Sequence, residues 1–352
     1  MAHAERVPNR VKQLRTLRGW SQEELSRRAG ISRAEVSAIE IQRVVPSVAA
    51  ALALAAALLC RVEDLFGASA EAQAPQWAWE PARGASRYWQ AEVGGKVLRF
   101  PVEQTAAGTI PHDGISEPGS QEAVGPFHPE RTIMMASCDP AAGLLAAEIA
   151  RTSDFRLIVL PRSSTAALDL LRSRQVHVAG MHLTGGTRSR TNEMIARERL
   201  GPGFRLLHGA RWTEGVAFGS GMGNVNLRTL LRSKVRWIGR ETGSGARQCL
   251  DEILDGRPAP KRVARDHRGV ADAIRNGWAD AGVCLQLASD EAGLNFLRVR
   301  EEAYDLCYAA EFESDPRMRA LLRVIRSPEY RRLMGELPGY SAEDTGEVVA
   351  LD

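Results

Sequence analysis

Apolar residues in the first 67 positions recur at the spacing of helices and are separated by short polar breaks. Val11, Leu14 and Leu17 fall on one face of a helix that we predict over residues 7–19. An alanine-rich apolar segment after Ser47 predicts another helix, and a short apolar segment follows it. Together with the two helices described next, the pattern predicts a bundle of five helices.

Two short helices in this region carry clear start and stop signals. Ser21 with Glu24, and Ser32 with Glu35, have the spacing of capping boxes, which begin helices. Gly30 lies between them, where a left-handed residue ends the first helix. Two capped helices joined by a glycine turn predict a helix-turn-helix, which places its second helix in the major groove of DNA.

The pattern changes twice after the bundle. Residues 68–84 are mostly small and polar and predict a linker. Residues 85–130 predict a connector that begins with a β-hairpin, since alternating segments flank Gly94 and Gly95. Residues 103–130 are rich in Gly, Pro, His and Ser, and we predict irregular structure there.

From residue 131 to residue 352, apolar strands alternate with amphipathic helices. Alternation of this kind predicts an α/β domain whose largely parallel sheet is covered on both faces. The predicted strands are Thr132–Ala136, Phe155–Leu160, Val176–Met181, Phe204–Leu207, Gly215–Phe218, Val235–Ile238, Ala281–Leu285, Phe296–Val299 and Leu306–Ala309. The predicted helices are Pro140–Ala150, Thr165–Arg174, Asn192–Arg199, Leu227–Arg232, Ala246–Leu254, Val270–Asn276 and Pro316–Ile325.

Composition narrows the class of protein. Of 352 residues, 44% are hydrophobic and 25% charged, which is typical of a globular protein with two or three domains. The five cysteines are scattered without a C-x-x-C pair, so we expect neither a disulfide framework nor a structural zinc site. The N-terminus has no apolar signal core, and we expect a cytoplasmic protein without a membrane span.

Positive charge is concentrated at the N-terminus. Residues 1–45 contain nine Arg or Lys against five Glu, a balance of +4, whereas the whole chain carries +3. The remainder is therefore close to −1. This distribution predicts that the N-terminal bundle is the part that meets a polyanion.

The bundle resembles the Cro/C1-type, or XRE-type, repressor domain family. The resemblance rests on Leu14-Arg15, Trp20–Leu25, Ala29–Ser32, Val36–Glu40, Pro46-Ser47 and Leu65-Phe66. By position in the family, the DNA-binding residues implied are Gln22, Ser32, Arg33, Ala34, Ser37, Ala38 and Arg43.

The roles implied for three of these residues differ. Gln22 and Arg43 would contact phosphates, which fixes the register on DNA but carries no sequence information. Arg33 is the best candidate for reading a base, because a guanidinium can bond two acceptors of guanine. One departure from the family is that Ile41-Gln42 replaces the usual Asn-Gly after the second helix.

Several strand-to-helix turns in the α/β domain place Ser or Thr at the start of a helix, where free amides and the helix dipole bind anions. Such turns lie at the carboxyl ends of the strands, the edge at which doubly wound sheets bind ligands. The binding residues predicted from these turns and the neighbouring strand ends are Ser137, Cys138, Ser163, Ser164, Thr165, His182, Ser244, Gly245 and Arg247.

Residues 85–350 resemble the periplasmic-binding-protein-like domain attached to bacterial XRE-type regulators and to molybdopterin-related proteins. The phrases that carry the resemblance are Ser137–Pro140, Ser163–Thr165, Val178–Leu183, Thr242–Arg247, Ala279–Val283 and Leu337–Tyr340. It implies a two-lobed type II α/β fold and molybdate or tungstate as the ligand. Arg247 would equally suit a carboxylate or a phosphate.

Each candidate also has a plain structural interpretation. Ser and Thr at helix starts are most often only N-caps. Cys138 before a helix could be a redox sensor or nucleophile, but a small packing residue is the more common case. The histidines show no metal-binding spacing, so no metal-cation site is expected. Trp77, Trp79 and Trp89 are interpreted as packing residues.

These observations predict a ligand-responsive transcription regulator that binds operator DNA as a homodimer and a small anion in its C-terminal cleft. No cofactor beyond this anion is expected. The alternatives are the same regulator sensing an organic acid or other metabolite, and an enzyme or accessory module of molybdenum-cofactor metabolism. We expect no enzyme, because the sequence shows no Ser/His/Asp order, phosphate loop or paired carboxylates in a motif.

Overall fold

A computed structural model describes residues 9–58, 60, 62–66, 76–82, 84, 86–105, 107–117, 120–123, 128–183, 190–223 and 225–351. The chain forms two compact units, Met1–Gln76 and Trp77–Asp352. Residue 67, the predicted end of the bundle, and residues 68–75 of the predicted linker lie outside the described residues. The functional boundaries predicted at 67, 84 and 130 stay predictions. Within the described part, no helix is long and apolar enough to cross a membrane.

The N-terminal unit contains the five predicted helices. They are α1 (Val11–Leu17), α2 (Gln22–Ala29), α3 (Arg33–Glu40), α4 (Val48–Ala57) and α5 (Val62–Phe66). Leu25, Val36, Ile39, Leu54 and Leu58 are fully buried and form the centre of the bundle. In α2 and α3 the apolar residues are thus the packing residues, as the spacing predicted. In α4 Leu54 is buried, but Val48 and Leu52 are exposed.

The second unit begins with a five-stranded sheet. Its strands are β1 (Gln76–Trp77), β2 (Ser86–Val93), β3 (Lys96–Pro101), β4 (Gly114–Glu117) and β5 (Ser120–Ala123), in the order β1-β3-β2-β4-β5. The predicted hairpin is confirmed: β2 and β3 pair antiparallel, and Gly94 and Gly95 both have positive φ, at 57° and 76°. This backbone conformation favours glycine at both turn positions.

The prediction of irregular structure over residues 103–130 was wrong for β4 and β5. β4 adds to the edge of β2, next to Asp113, which accepts a hydrogen bond from the Gln90 amide at 2.7 Å. Asp113 also forms a buried pair with Arg156, with Nη2–Oδ2 at 2.6 Å. Residues 103–130 show no apolar periodicity. Polar contacts of Asp113, and not an apolar face, hold this segment against the rest of the unit.

The main sheet of the second unit has ten strands, of which eight follow the order β11-β10-β12-β9-β13-β8-β6-β7 and two pair with β9. The strands are β6 (Thr132–Ser137), β7 (Arg156–Pro161), β8 (Val178–Met181), β9 (Phe204–Phe218), β10 (Trp237–Arg240), β11 (Val263–Ala264), β12 (Ala281–Leu285), β13 (Asn295–Ala309), β14 (Tyr340–Ser341) and β15 (Val348–Leu351).

Helices cover both faces of this sheet. They are α6 (Ala142–Thr152), α7 (Ser164–Arg172), α8 (Arg190–Leu200), α9 (Leu227–Arg232), α10 (Gly245–Leu254), α11 (His267–Arg275), α12 (Gln286–Glu291), α13 (Pro316–Arg326) and α14 (Pro328–Gly335). α12 and α14 were not predicted. Both are short and follow directly on another element, so the apolar pattern gave no separate signal.

Two strands are much longer than predicted. β9 and β13 have 15 residues each and pair antiparallel along their length, where the sequence predicted four short strands. Charged residues in the middle of each strand, such as Arg211 and Arg300, interrupt the apolar runs and hide their continuity. The sheet is therefore mixed and not largely parallel, since β9 and β13 are antiparallel to their neighbours β12 and β8.

These two strands divide the second unit into two lobes. We call the half with β6, β7, β8, α6, α7, α8, α13 and α14 lobe 1, and the half with β10, β11, β12 and α9–α12 lobe 2. The pairing of β9 with β13 shifts register between Arg298 and Arg300 and again between Tyr304 and Asp305. The irregular pairing lies where both strands cross from one lobe to the other.

Candidate functional site

The helix-turn-helix is built by the local signals that predicted it. The Ser21 hydroxyl oxygen accepts from the Glu24 amide and the Ser32 hydroxyl oxygen from the Glu35 amide, both at 3.1 Å. Gly30 ends α2 in the left-handed conformation with φ 65°. Each cap satisfies an amide that the first turn of a helix leaves without a partner.

The predicted DNA-binding residues differ in exposure. Ser32, Arg33, Ala34 and Arg43 are exposed, whereas Gln22, Ser37 and Ala38 are half-buried. Arg33 is the first residue of α3, its side chain is 68% exposed, and its Nε lies 3.9 Å from a carboxylate oxygen of Glu23. Such a long, exposed ion pair contributes little, so the guanidinium is accessible to DNA.

Gln22 has a structural role that the sequence did not reveal. Its amide nitrogen donates to Glu40 at 2.8 Å, and Arg15 donates to the same carboxylate with Nε–Oε1 at 2.6 Å. Glu40 is buried, and hydrogen bonds from Arg15 and Gln22 outweigh the effect of burial and hold its pKa below the usual value. The network joins the ends of α1, α2 and α3 and fixes their relative positions.

The departure at the end of α3 has a visible backbone consequence. Gln42 adopts a positive φ of 59°, a conformation that suits the glycine usual in the family. The Arg43 amide then donates to the Ala38 carbonyl at 2.8 Å, which ends the helix. The left-handed turn is thus kept although the glycine is replaced, with strain of about 1 kcal/mol at Gln42.

In the second unit, the predicted ligand-binding residues gather where the lobes face each other. Ser137 ends β6 and Cys138 follows it, Ser163 caps α7, which begins with Ser164 and Thr165, and His182 follows β8, all in lobe 1. Ser244 caps α10 in lobe 2. The carboxyl ends of these strands therefore meet as the doubly wound pattern predicted.

Most of the hydroxyl groups in this set are already bonded within the protein. Ser137 shares a hydrogen bond of 2.6 Å with the Tyr304 hydroxyl, and the Ser164 hydroxyl donates to the His182 carbonyl at 3.2 Å. Ser163 and Ser244 act as N-caps. Arg247 pairs with Asp251 one turn further along α10, with Nε–Oδ1 at 2.8 Å.

The turn before α10 touches the start of α7 across the gap between the lobes. The Thr165 amide and hydroxyl both donate to the Gly243 carbonyl, at 3.2 and 3.1 Å. Gly245 lies so close to His182 that a Cβ would overlap the carbonyl oxygen and the ring of that residue. The lobes are therefore in direct contact at this point.

Three further buried residues lie next to the predicted binding residues, and the sequence analysis did not single them out. Arg240 ends β10, His267 begins α11, and Trp212 lies in the middle of β9; each is buried. The His182 ring lies 4.9 Å from the Trp212 ring and 5.5 Å from the His267 ring, measured between centroids. The positive charge of Arg240 acts directly on His267.

The shared feature of this group is a set of buried nitrogen atoms without hydrogen-bond partners among the described residues. They are Arg240 Nη1, Trp212 Nε1, His182 Nε2 and both ring nitrogens of His267. An unpaired buried polar group costs about 1–3 kcal/mol. Arg240 and Trp212 can only donate, so their nitrogens suit a ligand with acceptor oxygens. We call Arg240, Trp212, His182 and His267 the nitrogen cluster.

A network of Glu302, Arg300 and Glu214 contacts His182 at its Nδ1 atom. This atom lies 2.8 Å from Glu302 Oε2, and Arg300 pairs with Glu302 at 2.6 Å and with Glu214 at 3.0 Å. Burial opposes a charged imidazole, but interactions with Cys138 and Glu302 hold the pKa of His182 well above its ordinary value. Burial and the charge of Glu302 raise the pKa of Glu214 to about 7.

The two histidines of the nitrogen cluster are held in opposite states. Burial, together with the charges of Arg240 and His182, keeps the pKa of His267 well below its ordinary value. The two shifts favour the neutral form of His267 and the charged form of His182. A neutral imidazole offers one donor and one acceptor, whereas a charged one offers two donors.

A cavity of about 310 Å³ reaches the nitrogen cluster at His267. It is lined by Gln104, Thr105, Ser137, Cys138, Asp139, Pro140, Pro161, Arg265, Asp266, His267, Arg268, Gly269 and Asp272. Burial raises the pKa of Asp139 to about 6, although a hydrogen bond from Tyr340 favours the charged form. The cavity joins the two lobes and has the size of a site for a small molecule.

Two family models match the chain. One, described as a PBP superfamily domain, matches residues 146–326, and the other, described as a helix-turn-helix, matches residues 11–65.

Two curated proteins of Bacillus subtilis (strain 168) are similar to parts of the chain. The uncharacterized protein YvgK is 32% identical over 129 residues, which are 35% of this chain and 41% of YvgK. The match therefore spans less than half of YvgK. The uncharacterized HTH-type transcriptional regulator YgzD is 42% identical over 60 residues, which are 17% of this chain and 91% of YgzD.

Among solved structures, PhnD1 from Prochlorococcus marinus (MIT 9301) in complex with methylphosphonate has a TM-score of 0.42 and 12% identity. The similarity covers 63% of this chain and 93% of that chain.

Proposed function

The chain belongs to the PBP superfamily and carries a helix-turn-helix domain of the transcriptional-regulator type, and we propose that it is a DNA-binding regulator controlled by a small anion. DNA binding is assigned to the N-terminal unit. The anion is assigned to the cavity between the lobes of the second unit. A role on chromosomal DNA places the protein in the cytoplasm.

The observation that carries the anion assignment is the nitrogen cluster. Arg240 Nη1 and Trp212 Nε1 are buried donors without a partner among the described residues. The Trp212 ring lies 4.9 Å from the ring of His182, whose pKa is raised, and the charge of Arg240 acts on His267. One ligand with several acceptor oxygens would satisfy them together. Charge-assisted donors in a buried site bind anions about twice as strongly as neutral donors.

Within this class we propose a tetrahedral oxyanion, with molybdate or tungstate as the first choice from the family resemblance. Of the residues predicted from the sequence to bind the ligand, we keep His182 and Cys138. We add Arg240, Trp212 and His267 to the proposed binding residues. The hydroxyls of Ser137, Ser163, Ser164 and Ser244 support the site through the hydrogen bonds and caps described above.

The regulator is proposed to act as a homodimer, because one recognition helix reads only a few base pairs. Binding of the anion would favour the closed lobes. It can change DNA affinity only if the DNA-competent and DNA-incompetent states bind it differently.

The test of the anion is a thermal-unfolding screen of the full-length chain. Molybdate and tungstate are compared with sulfate, phosphate and a panel of organic acids. A ligand at about 100 times its Kd stabilises the folded state by about 2.7 kcal/mol. If only organic acids raise the Tm, the oxyanion is wrong and the metabolite alternative is right.

A matched pair of variants tests the site. Arg240→Gln removes a buried charged donor, which should weaken anion binding about 10- to 100-fold. Arg236→Gln removes an exposed arginine of the same lobe that pairs with Asp280, and it should leave binding unchanged. If both variants bind the anion with equal affinity, the nitrogen cluster is not part of the anion site.

The DNA assignment is tested by fluorescence anisotropy with the DNA upstream of its own gene. Specific binding should weaken steeply with salt, because phosphate contacts release counterions. The oxyanion should change the affinity, and sedimentation should show two chains per operator. Binding to DNA without sequence preference would contradict the proposal that the protein is a transcription regulator.

One observation favours a second function, an enzyme. Cys138, His182 and Glu302 form a thiol, imidazole and carboxylate series in which Nδ1 of His182 meets Glu302 at 2.8 Å. This order suits covalent catalysis by a cysteine. Turnover of a small anion or of a molybdopterin compound, lost in Cys138→Ser, would establish this second function.

A further inference from the structure

Three side chains with metal-binding atoms converge at the wall of the cavity, and two of them, Cys138 and His267, line it. Cys138 follows β6, His182 follows β8 and His267 begins α11, and all three are buried. One ligand atom from each lies within 4.8 Å of the others. No sequence spacing could indicate this set, because each residue comes from a different element.

The chemistry of the three residues suits a borderline-soft divalent ion. A thiolate with two imidazoles is a donor set of zinc sites, whereas Mg²⁺ and Ca²⁺ prefer oxygen ligands. His182 Nε2 and both ring nitrogens of His267 make no hydrogen bond within the described residues. Coordination would supply His182 Nε2 and one ring nitrogen of His267 with the partner that burial requires.

The surroundings of His182 match those of a metal ligand. Glu302 Oε2 lies 2.8 Å from Nδ1, which orients the ring. The metal would replace the proton on Nε2, because only an imidazole without that proton can coordinate. Metal-bound histidines commonly donate their other nitrogen to a carboxylate in this way. Arg300 pairs with the second oxygen of Glu302 at 2.6 Å and fixes the carboxylate.

A second possible group, His182 with Glu214 and Glu302, is the weaker one. Both carboxylates face Arg300, with Arg300 Nη2 at 3.0 Å from Glu214 and 2.6 Å from Glu302. A cation there would have to displace or oppose the guanidinium. Cys138 and His267 have no such competing ion pair in the described part of the chain.

We propose that Cys138, His182 and His267 bind one divalent transition-metal ion, and that this ion is Zn²⁺ or one with similar ligand preferences. The anion of the proposed function would be the fourth ligand of the ion. Three protein ligands leave one position of a tetrahedral zinc ion open. The partnerless donors of Arg240 and Trp212 belong to the same cluster and suit an anion at that position. This inference rests on the proposed function for the anion but not for the metal.

The ion would also join the lobes. Cys138 and His182 belong to lobe 1, whereas His267 belongs to lobe 2. Coordination by all three therefore requires the closed arrangement. Metal and anion would then stabilise the same state, and each should increase the affinity for the other.

The experiment uses the full-length chain after removal of metals with a chelator. Co²⁺ is titrated as a spectroscopic probe, followed by competition with Zn²⁺. We expect one Co²⁺ per chain, with the intense visible bands of a tetrahedral site and a near-ultraviolet band from thiolate-to-cobalt charge transfer. This measurement on the unmodified protein does not depend on any variant folding.

Four variants assign the ligands. Cys138→Ser should abolish the charge-transfer band, and His267→Gln should weaken Zn²⁺ binding by at least about tenfold, the lower range known even for outer-shell changes. Cys60→Ser, in the N-terminal unit, and His128→Gln, with a side chain 65% exposed, serve as controls and should change neither. Circular dichroism establishes that each variant is folded.

The inference is overturned if Co²⁺ gives no charge-transfer band, or if Cys138→Ser and His267→Gln bind Zn²⁺ as the unmodified chain does. A thermal shift by molybdate that persists unchanged in chelator would overturn the anion as fourth ligand while leaving the proposed function intact. Metal binding by Cys138 and His267 without any anion effect would support the metal site and contradict the proposed function.

Discussion

Arg33 is the single exposed residue for which the proposed DNA contact is most specific. It is the first residue of α3, the position from which recognition helices reach base edges, and its pairing with Glu23 is loose at 3.9 Å. A bidentate contact with guanine contributes about 1–3 kcal/mol of discrimination.

Arg33→Ala should therefore lower specific operator affinity about 10- to 100-fold and affect non-specific binding much less. Anisotropy measured with operator and with scrambled DNA gives both values. Arg151→Ala is the control, because Arg151 has a similar exposure of 61% and a similar carboxylate partner in the second unit. A parallel loss on both DNAs would mean that Arg33 contacts only phosphate.

His177 makes the stability of the second unit depend on pH. Its ring accepts from the Met134 amide at 2.9 Å and meets the Glu92 carbonyl at 2.8 Å, between β8, β6 and β2. Burial, with the nearby charge of Arg317, lowers the pKa of His177 to about 3, although the backbone bonds and Asp315 oppose the shift.

The unfolded chain takes up a proton at this histidine near pH 6.5, whereas the folded chain does not until about pH 3. The free energy of unfolding should therefore fall as the pH drops through this window, by up to about 1.4 kcal/mol per pH unit. His177→Gln should be less stable at pH 7 but show a shallower decline to pH 4 in urea titrations. An unchanged slope in that variant, or a flattened slope in the exposed control His128→Gln, would contradict this account.

At the level of elements, the contact between α10 and the end of β8 holds the lobes together. Gly245→Ala would place a methyl group against His182, and overpacking of this kind typically costs about 1–3 kcal/mol. We expect a lower Tm and a smaller stabilisation by the anion, because the closed lobes are the state that is strained.

Gly335→Ala is the matched control, since it is also helical and a Cβ there would meet no atom within 4 Å. Differential scanning calorimetry with and without the anion compares the two variants. Equal anion-induced shifts in both would show that the α10 contact with His182 has no part in ligand binding.

The elements that could be predicted from the sequence are those whose ends depend on nearby residues. The helices of the N-terminal unit and the β2–β3 hairpin begin and end at signals within three or four residues, such as Ser32 and Gly94. β9 and β13 were divided in the prediction because their central residues face the junction of the lobes, where polar side chains belong. The α11 prediction began at Val270, three residues late, and so His267 was not placed at a helix start.

For the whole molecule, the two compact units allow a test by dissection. Trp89, Phe100 and Leu168 share a core with the main sheet, so the five-stranded sheet is part of the second unit and not a loose connector. A fragment of residues 76–352 should fold alone and show the same anion-dependent rise in Tm as the full chain, without binding operator DNA. A rise that disappears in the fragment would mean that the N-terminal unit contributes to the ligand site.

The sequence by itself determined the helix-turn-helix, because capping and turn conformations depend on residues a few positions apart. It also determined that the second unit is an α/β domain with polar strand ends, and it pointed to Cys138 and His182. The tertiary structure alone decided that Arg240, Trp212 and His267 lie near them, and that most serine hydroxyls of the predicted set are already bonded. A buried site between two lobes depends on residues far apart in the chain, and only the crossing of β9 and β13 brings those residues together.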